Sequence, residues 1–122
     1  MASSSLLHDV PDVIAAVGAT DVLVYRRALG GRFVLSAPVQ HWAAEELLVD
    51  DEPAVAAALR HGVHRIAAEQ PRAVCAGYVA RAAAVIAIDR DVVVVLGRRD
   101  GCLAGVADAE LVAAAEAAAN AV

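Results

Sequence analysis

The chain has 122 residues, of which 60% are hydrophobic and only 3% aromatic, and it carries a net charge of −5. This length fits one domain, residues 1–122, with a core built mainly from alanine and valine. The acidic balance argues against nucleic acid, because phosphate binding needs an excess of lysine and arginine on one surface. No stretch supplies the roughly 18 consecutive apolar residues of a membrane span, and the start lacks the cationic region of a signal peptide. We expect a soluble, cytoplasmic protein with a disordered tail over residues 1–5.

The first third of the chain predicts a helix and a hairpin. Apolar residues at three- and four-residue spacing predict a helix over residues 10–17, which Gly18 ends. Weak alternation predicts a strand over residues 21–27, and a second strand over residues 32–37 follows the Gly30-Gly31 turn. Residues 40–46 fit either a helical turn or an irregular loop, and residues 47–49 fit a short edge strand.

A helix start is signalled in the middle of the chain. Asp51 is a capping residue, Glu52 adds a negative charge at the positive helix end, and Pro53 fits the first turn. The helix is predicted to run to about Arg60, and Gly62 ends it. A strand over residues 63–67 follows, and residues 68–81 are the least regular region.

Two apolar runs dominate the last third of the chain. Residues 82–88 and 92–96 are rich in β-branched side chains and flank three polar residues, which predicts two central antiparallel strands joined by a turn. Residues 98–101 are turn-like. Asp108 is predicted to cap a final helix over residues 108–122, one side of which is apolar: Leu111, Ala114, Ala115, Ala118 and Val122.

The order α-β-β-(β)-α-β-β-β-α predicts an α+β domain. We expect a central antiparallel sheet of five to six strands. The N- and C-terminal helices pack on one side of this sheet and the short helix packs on the other.

Three stretches give the chain a resemblance to the GAF family of small-molecule sensory domains. Residues 51–67 resemble the family's short helix, glycine and strand. Residues 79–88, followed by 92–97, resemble its arginine-containing approach to two central strands, with Arg81 at the arginine position. Residues 108–122 resemble its closing helix. The chain departs from the family pattern where Ala82 and Ala87 replace the usual serine and proline.

The resemblance implies a small-molecule cavity on one sheet face and no covalent chemistry. The cavity would be walled by residues 40–48, the helix over residues 51–60 and residues 69–79. The chain is shorter than a typical member between Ala37 and Asp50, beside this cavity, which puts a full-sized cyclic-nucleotide or tetrapyrrole pocket in doubt. The resemblance also implies a homodimer formed through the terminal helix, whose small residues permit close packing.

Trp42, Tyr78 and Arg81 are the candidate ligand-binding residues. Trp42 offers a stacking face and an indole N–H, and the alternative is a side chain that covers the edge of the core. Tyr78 and Arg81 would point a hydroxyl and a guanidinium into the cavity, and the guanidinium suits a carboxylate or phosphate. The alternative for Arg81 is a salt bridge to Asp89 or Glu69.

The remaining reactive side chains predict neither catalysis nor a cofactor. His61 and His64 are separated by Gly62 and lack the further ligands that a zinc site needs. Cys75 and Cys102 are expected to be reduced thiols, and Cys75 to be structural. No pair of carboxylates suits acid–base work.

A second hypothesis is a roadblock- or profilin-like scaffold that binds protein partners through its surface and has no ligand pocket. It has a similar arrangement of terminal helices around a five-stranded sheet. A closed cavity beneath residues 40–48 would separate the two hypotheses.

Overall fold

The computed structural model describes residues 14–37, 46–47, 52–75, 78–103 and 105–121. Residues 14–16 are helical and precede the first strand. The strands are β1 (Asp21–Arg27), β2 (Phe33–Ala37), β3 (Glu46–Leu47), β4 (Val63–Cys75), β5 (Tyr78–Ala87) and β6 (Val92–Arg98). The helices are α1 (Pro53–His61) and α2 (Asp108–Asn120), and a short 3₁₀ turn, Leu29–Gly31, joins β1 to β2.

All six strands form one sheet in the order β3-β2-β1-β6-β5-β4. Every described pairing is antiparallel. The two apolar runs of the last third are adjacent interior strands, with Val85 opposite Val95, as the sequence predicts. β6 also pairs with β1, where Asp21 lies opposite Gly97. β3 and β4 are the two edge strands.

Each face of the sheet carries its own apolar core. Helix α1 supplies Val55 and Ala58 to one core, which also holds Leu23, Tyr25 and Phe33. In the opposite core, α2 packs against Ile14, which is one of the helical residues 14–16, and against Val17. Sheet residues such as Val94 and Leu96 complete this core. The predicted α+β class is therefore confirmed, with α2 and the helical residues 14–16 on one side and α1 on the other.

The β4–β5 hairpin corrects the prediction that residues 68–81 are irregular. β4 runs on to Cys75 and β5 begins at Tyr78. Ala67 pairs with Ala82 and Arg72 with Ala80, so four residues of β4 lie opposite Arg81 alone. This bulge accommodates Pro71, which lacks a donor for the ladder. Because β4 is a largely exposed edge strand, its apolar alternation is weak.

The sequence predicts some of the residues that begin and end the two helices. Gly62 takes φ +87° after α1 and donates its N–H to the Ala58 carbonyl, as a helix-ending glycine should. The proposed cap Asp51 lies outside the described residues, and Glu52 occupies the N-cap without a side-chain cap hydrogen bond. The predicted cap at Asp108 is wrong, because Ala107 is the N-cap and Asp108 lies in the first turn.

The alanine-rich side of α2 packs within the chain. Leu111, Ala114, Ala115 and Ala118 are buried in the second core. From β1, the Arg26 guanidinium donates to the Ala119 carbonyl at 2.8 Å, and this positive charge compensates the negative end of the helix. The apolar face expected to mediate a homodimer is thus used to hold α2 on its own sheet. Neither described helix is long and apolar enough to cross a membrane.

Candidate functional site

Tyr78 lies in the core. Its side chain is fully buried on the α1 side of the sheet, and its hydroxyl donates to Asp21 Oδ2 at 2.8 Å. Arg99 Nε lies 3.8 Å from the same carboxylate oxygen, and the Arg99 guanidinium carbon is 6.0 Å from the Tyr78 ring centre. Burial, then the hydrogen bond to Asp21, raises the pKa of the Tyr78 hydroxyl. Tyr78 therefore links the start of β5 to β1.

Gly97 makes room for this tyrosine. A Cβ at position 97 would overlap the Tyr78 hydroxyl oxygen and lie 2.7 Å from two of its ring carbons. Because Gly97 is on β6, between β5 and β1 in the sheet, the ring crosses the one strand that separates Tyr78 from Asp21. The glycine is required by this close approach of an aromatic ring to the backbone.

Arg81 and Trp42 are not brought to Tyr78 by any described contact. Arg81 lies at the β4–β5 bulge, and its buried Nε has no hydrogen-bond partner within the described part of the chain. The ion pairs of that part include none between Arg81 and Asp89 or Glu69. Trp42 lies outside the described residues, so the predicted three-residue contact with a ligand remains a prediction.

Cys75, Tyr25 and Glu52 form a buried cluster beneath the start of α1. All three are less than a tenth exposed. Burial, with a smaller contribution from the Glu52 charge, raises the pKa of the Cys75 thiol from 9.0 to about 12. Burial also raises the pKa of Tyr25, and both Cys75 and Glu52 add to that shift. The Cys75 thiol and the Tyr25 hydroxyl are therefore protonated at neutral pH, which disfavours a nucleophilic role for the thiol.

An open groove of about 420 Å³ lies between the start of α1 and the edge strand β4. Pro53 and Ala54 line it from the helix, and β4 contributes two stretches, residues 64–67 and 72–74. Ile66 packs against the α1-side core, and side chains alternate along a strand, so His64 faces the same side. The groove thus combines an apolar floor with the polar side chains of His64 and Arg72.

The two arginines that line the groove differ in their partners. Arg65 donates to Asp108 Oδ1 from Nε at 2.9 Å and from Nη2 at 2.7 Å, and to the Val106 carbonyl at 2.6 Å. It thereby ties β4 to the start of α2, on the opposite face. Arg72 is exposed and makes no hydrogen bond or ion pair with another described residue. A smaller concavity of about 160 Å³ lies on the α2 side, between Arg65 and the exposed Cys102.

Sequence reasoning assigned His64 only to a strand and passed over Arg72. The bulge explains this, because it brings residues 72–74 alongside residues 64–67 although eight positions separate Arg72 from His64. For residues 64–67, the sequence does contain a signal: His64 and Ile66 are two positions apart in a predicted strand and therefore face the same side of the sheet. Within the described ranges, no group of three or more His, Cys, Asp or Glu side chains is placed to hold a metal ion.

Comparison with known proteins gives no relative for this chain: no family model, no curated protein and no solved structure matches it.

Proposed function

We propose that this protein is a non-catalytic, small-molecule-binding sensory domain of the GAF type, with the α1–β4 groove as its ligand site. The groove carries the proposal. Its volume of about 420 Å³ falls in the range of roughly 300–1,000 Å³ that is typical of small-molecule sites. Its lining has the usual character of such sites, an apolar floor with a few convergent polar groups.

The state of the buried titratable groups supports a non-catalytic role. A nucleophile or general base needs a pKa near or below neutral pH. Burial instead moves the pKa values of Cys75, Tyr25 and Tyr78 upward, away from the range in which they would react. We also propose a cytoplasmic location, a compartment in which thiols such as those of Cys75 and Cys102 stay reduced.

The test is a thermal-shift screen with neutral and charged metabolites, cyclic nucleotides and haem. A ligand at about a hundred times its dissociation constant adds roughly 2.7 kcal/mol to stability, a shift of several degrees. The variants are His64→Trp, which narrows the groove, and Val79→Trp on β5. His64 lines the groove on the α1 side of the sheet, whereas Val79 is exposed and lies outside the groove.

A genuine groove ligand stabilises the parent and Val79→Trp, and its effect is lost in His64→Trp. If no compound moves the melting temperature, or if His64→Trp responds as the parent does, the groove is not the ligand site.

The second candidate is the protein-interaction scaffold. It is favoured by the filling of the α1-side sheet face, where Val74, Cys75, Tyr78 and Ala80 occupy the core together with β1. These residues lie in or beside the segment expected to wall a cavity. A protein that responds to no small molecule but binds a partner chain in a pull-down with purified components would fit this candidate.

A homodimer through α2 would use the outer side of that helix. Its inner side is buried, and Ala109, Ala113 and Glu116 are exposed on the other side. Self-association would bring like charges such as Glu116 close together, so we expect such a dimer to be weak and strengthened by salt.

A further inference from the structure

We infer that the ligand of the α1–β4 groove carries a carboxylate or phosphate group and that Arg72 binds it. This inference rests on the groove being the ligand site proposed above, and it adds the chemical class of the ligand.

The first observation is the charge of the lining. The chain has 15 acidic residues against 10 arginines, yet the nine residues lining the groove include two arginines and one histidine and no aspartate or glutamate. The positive charge of Arg72 is therefore not offset by any carboxylate of the groove lining. Such local charge attracts an anion to a concave site.

The second observation separates the two arginines. Arg65 is neutralised by Asp108, whose Oδ1 lies 2.7 Å from its Nη2. Arg72 has no such counter-ion among the described residues, which leaves its donors available. A guanidinium presents its N–H groups in a planar fork that matches carboxylate and phosphate oxygens.

The third observation concerns the nearest buried acid. Glu52 precedes the groove-lining Pro53 but is 8% exposed and does not itself line the groove. Its charge acts instead on Cys75 and Tyr25, where it adds to the rise in pKa that burial causes. The apolar side chains of Ala54, Ile66 and Val74 complete the lining and add no competing charge.

The experiment is a titration of the full chain at constant ionic strength. Binding is monitored by NMR through the chemical shifts of the backbone amides. The probes are inorganic phosphate, succinate and the neutral diamide succinamide, which has nearly the shape of succinate without its charge. The reporters are the amides of Ala54, Ile66 and Val74. Phosphate and succinate arms distinguish the two sources of negative charge.

The variants are Arg72→Gln, Arg72→Lys and the control Arg60→Gln. Arg60 is exposed near the far end of α1, outside the groove, and it too has no recorded partner among the described residues. Because Arg72 is exposed, removing its charged hydrogen-bond donor should weaken anion binding by about threefold to tenfold. We expect that loss for Arg72→Gln, a smaller loss for Arg72→Lys and less than twofold change for Arg60→Gln.

Three results would overturn the assignment. Equal losses in Arg72→Gln and Arg60→Gln would mean diffuse attraction between charges. Equal shifts with succinamide would mean a groove that binds neutral ligands, so that the ligand class falls while the proposed function stands. Groove amides that respond to none of the three probes would also refute it, and a silent thermal-shift screen would then remove the proposed function as well.

Discussion

The substitution Gly97→Ala separates two opposing effects of one methyl group. Alanine is favoured over glycine inside a strand by about 0.5–1 kcal/mol, and Gly97 has no positive φ that would forbid it. Against this, the new Cβ would overlap the Tyr78 hydroxyl and lie 2.7 Å from two ring carbons, where ordinary contact begins at 3.4 Å. The ring must therefore move by about 0.7 Å or more, and it is fully buried.

The ring cannot retreat without a further loss. Its hydroxyl is held by Asp21 at 2.8 Å, and a hydrogen bond to a charged group contributes about 1.5–3 kcal/mol. Inserting a methyl group into a packed core costs about 1–3 kcal/mol by itself. We expect Gly97→Ala to lower the free energy of unfolding by about 2 kcal/mol or more, measured by urea denaturation at pH 7.

Two further variants make this result interpretable. A Cβ at Gly105 meets nothing within 4 Å, so Gly105→Ala should stay within about 0.5 kcal/mol of the parent. In a Tyr78→Leu background the overlap disappears, and Gly97→Ala should become neutral or stabilising. If Gly97→Ala is as stable as the parent, or costs the same in both backgrounds, Tyr78 is not held against Gly97 as described.

Three other predictions test the core and the surface. A disulfide reagent at pH 8 should modify the exposed Cys102 quickly and Cys75 only on unfolding. Because the pKa of Cys75 is raised to about 12 in the folded protein, the free energy of unfolding should fall as the pH rises above 9. The variant Cys75→Ala should reduce this dependence of stability on pH. Rapid labelling of both thiols in the folded protein would contradict the burial of Cys75. Arg65→Gln should cost under about 1 kcal/mol in thermal unfolding, since its ion pair is solvent-exposed; a loss of several kcal/mol would show that α2 depends on it. Ala118→Glu should unfold the protein through burial of a charge, whereas Ala113→Glu should leave stability unchanged and, in sedimentation velocity, dissociate any dimer formed by the outer side of α2.

Much of the fold was predictable because its signals are local. The apolar, β-branched runs within β5 and β6 can be identified as strands without knowledge of their pairing partners. Gly62 ends α1 because glycine readily adopts the positive φ required there. The course of β4 was not predictable. Pro71 and an exposed edge position weaken the alternation on which strand prediction relies, and the bulge becomes visible only when Arg81 is paired against four residues.

The site was less predictable because its chemistry depends on neighbours that are distant in sequence. Tyr78 carries the same hydroxyl whether it faces a ligand or Asp21, and its partner lies two strands away. One signal was available: Gly97 interrupts an otherwise apolar strand, and such a glycine often marks a close approach. The small residues of α2 likewise predict close packing, but their spacing is the same whether the opposing surface is a second copy or the chain's own sheet.

The pairing of β1 with β6 has a consequence for folding during synthesis. Strand β6 ends at Arg98, so most of the chain must be synthesised before β1 can pair with β6. Until then the β1–β2 hairpin has an open edge and apolar side chains such as Leu23 without their core, and an isolated hairpin is only marginally stable. Pairings so distant in sequence slow folding and prolong exposure to aggregation. Truncations that remove β6 should therefore yield insoluble chains even though five strands remain.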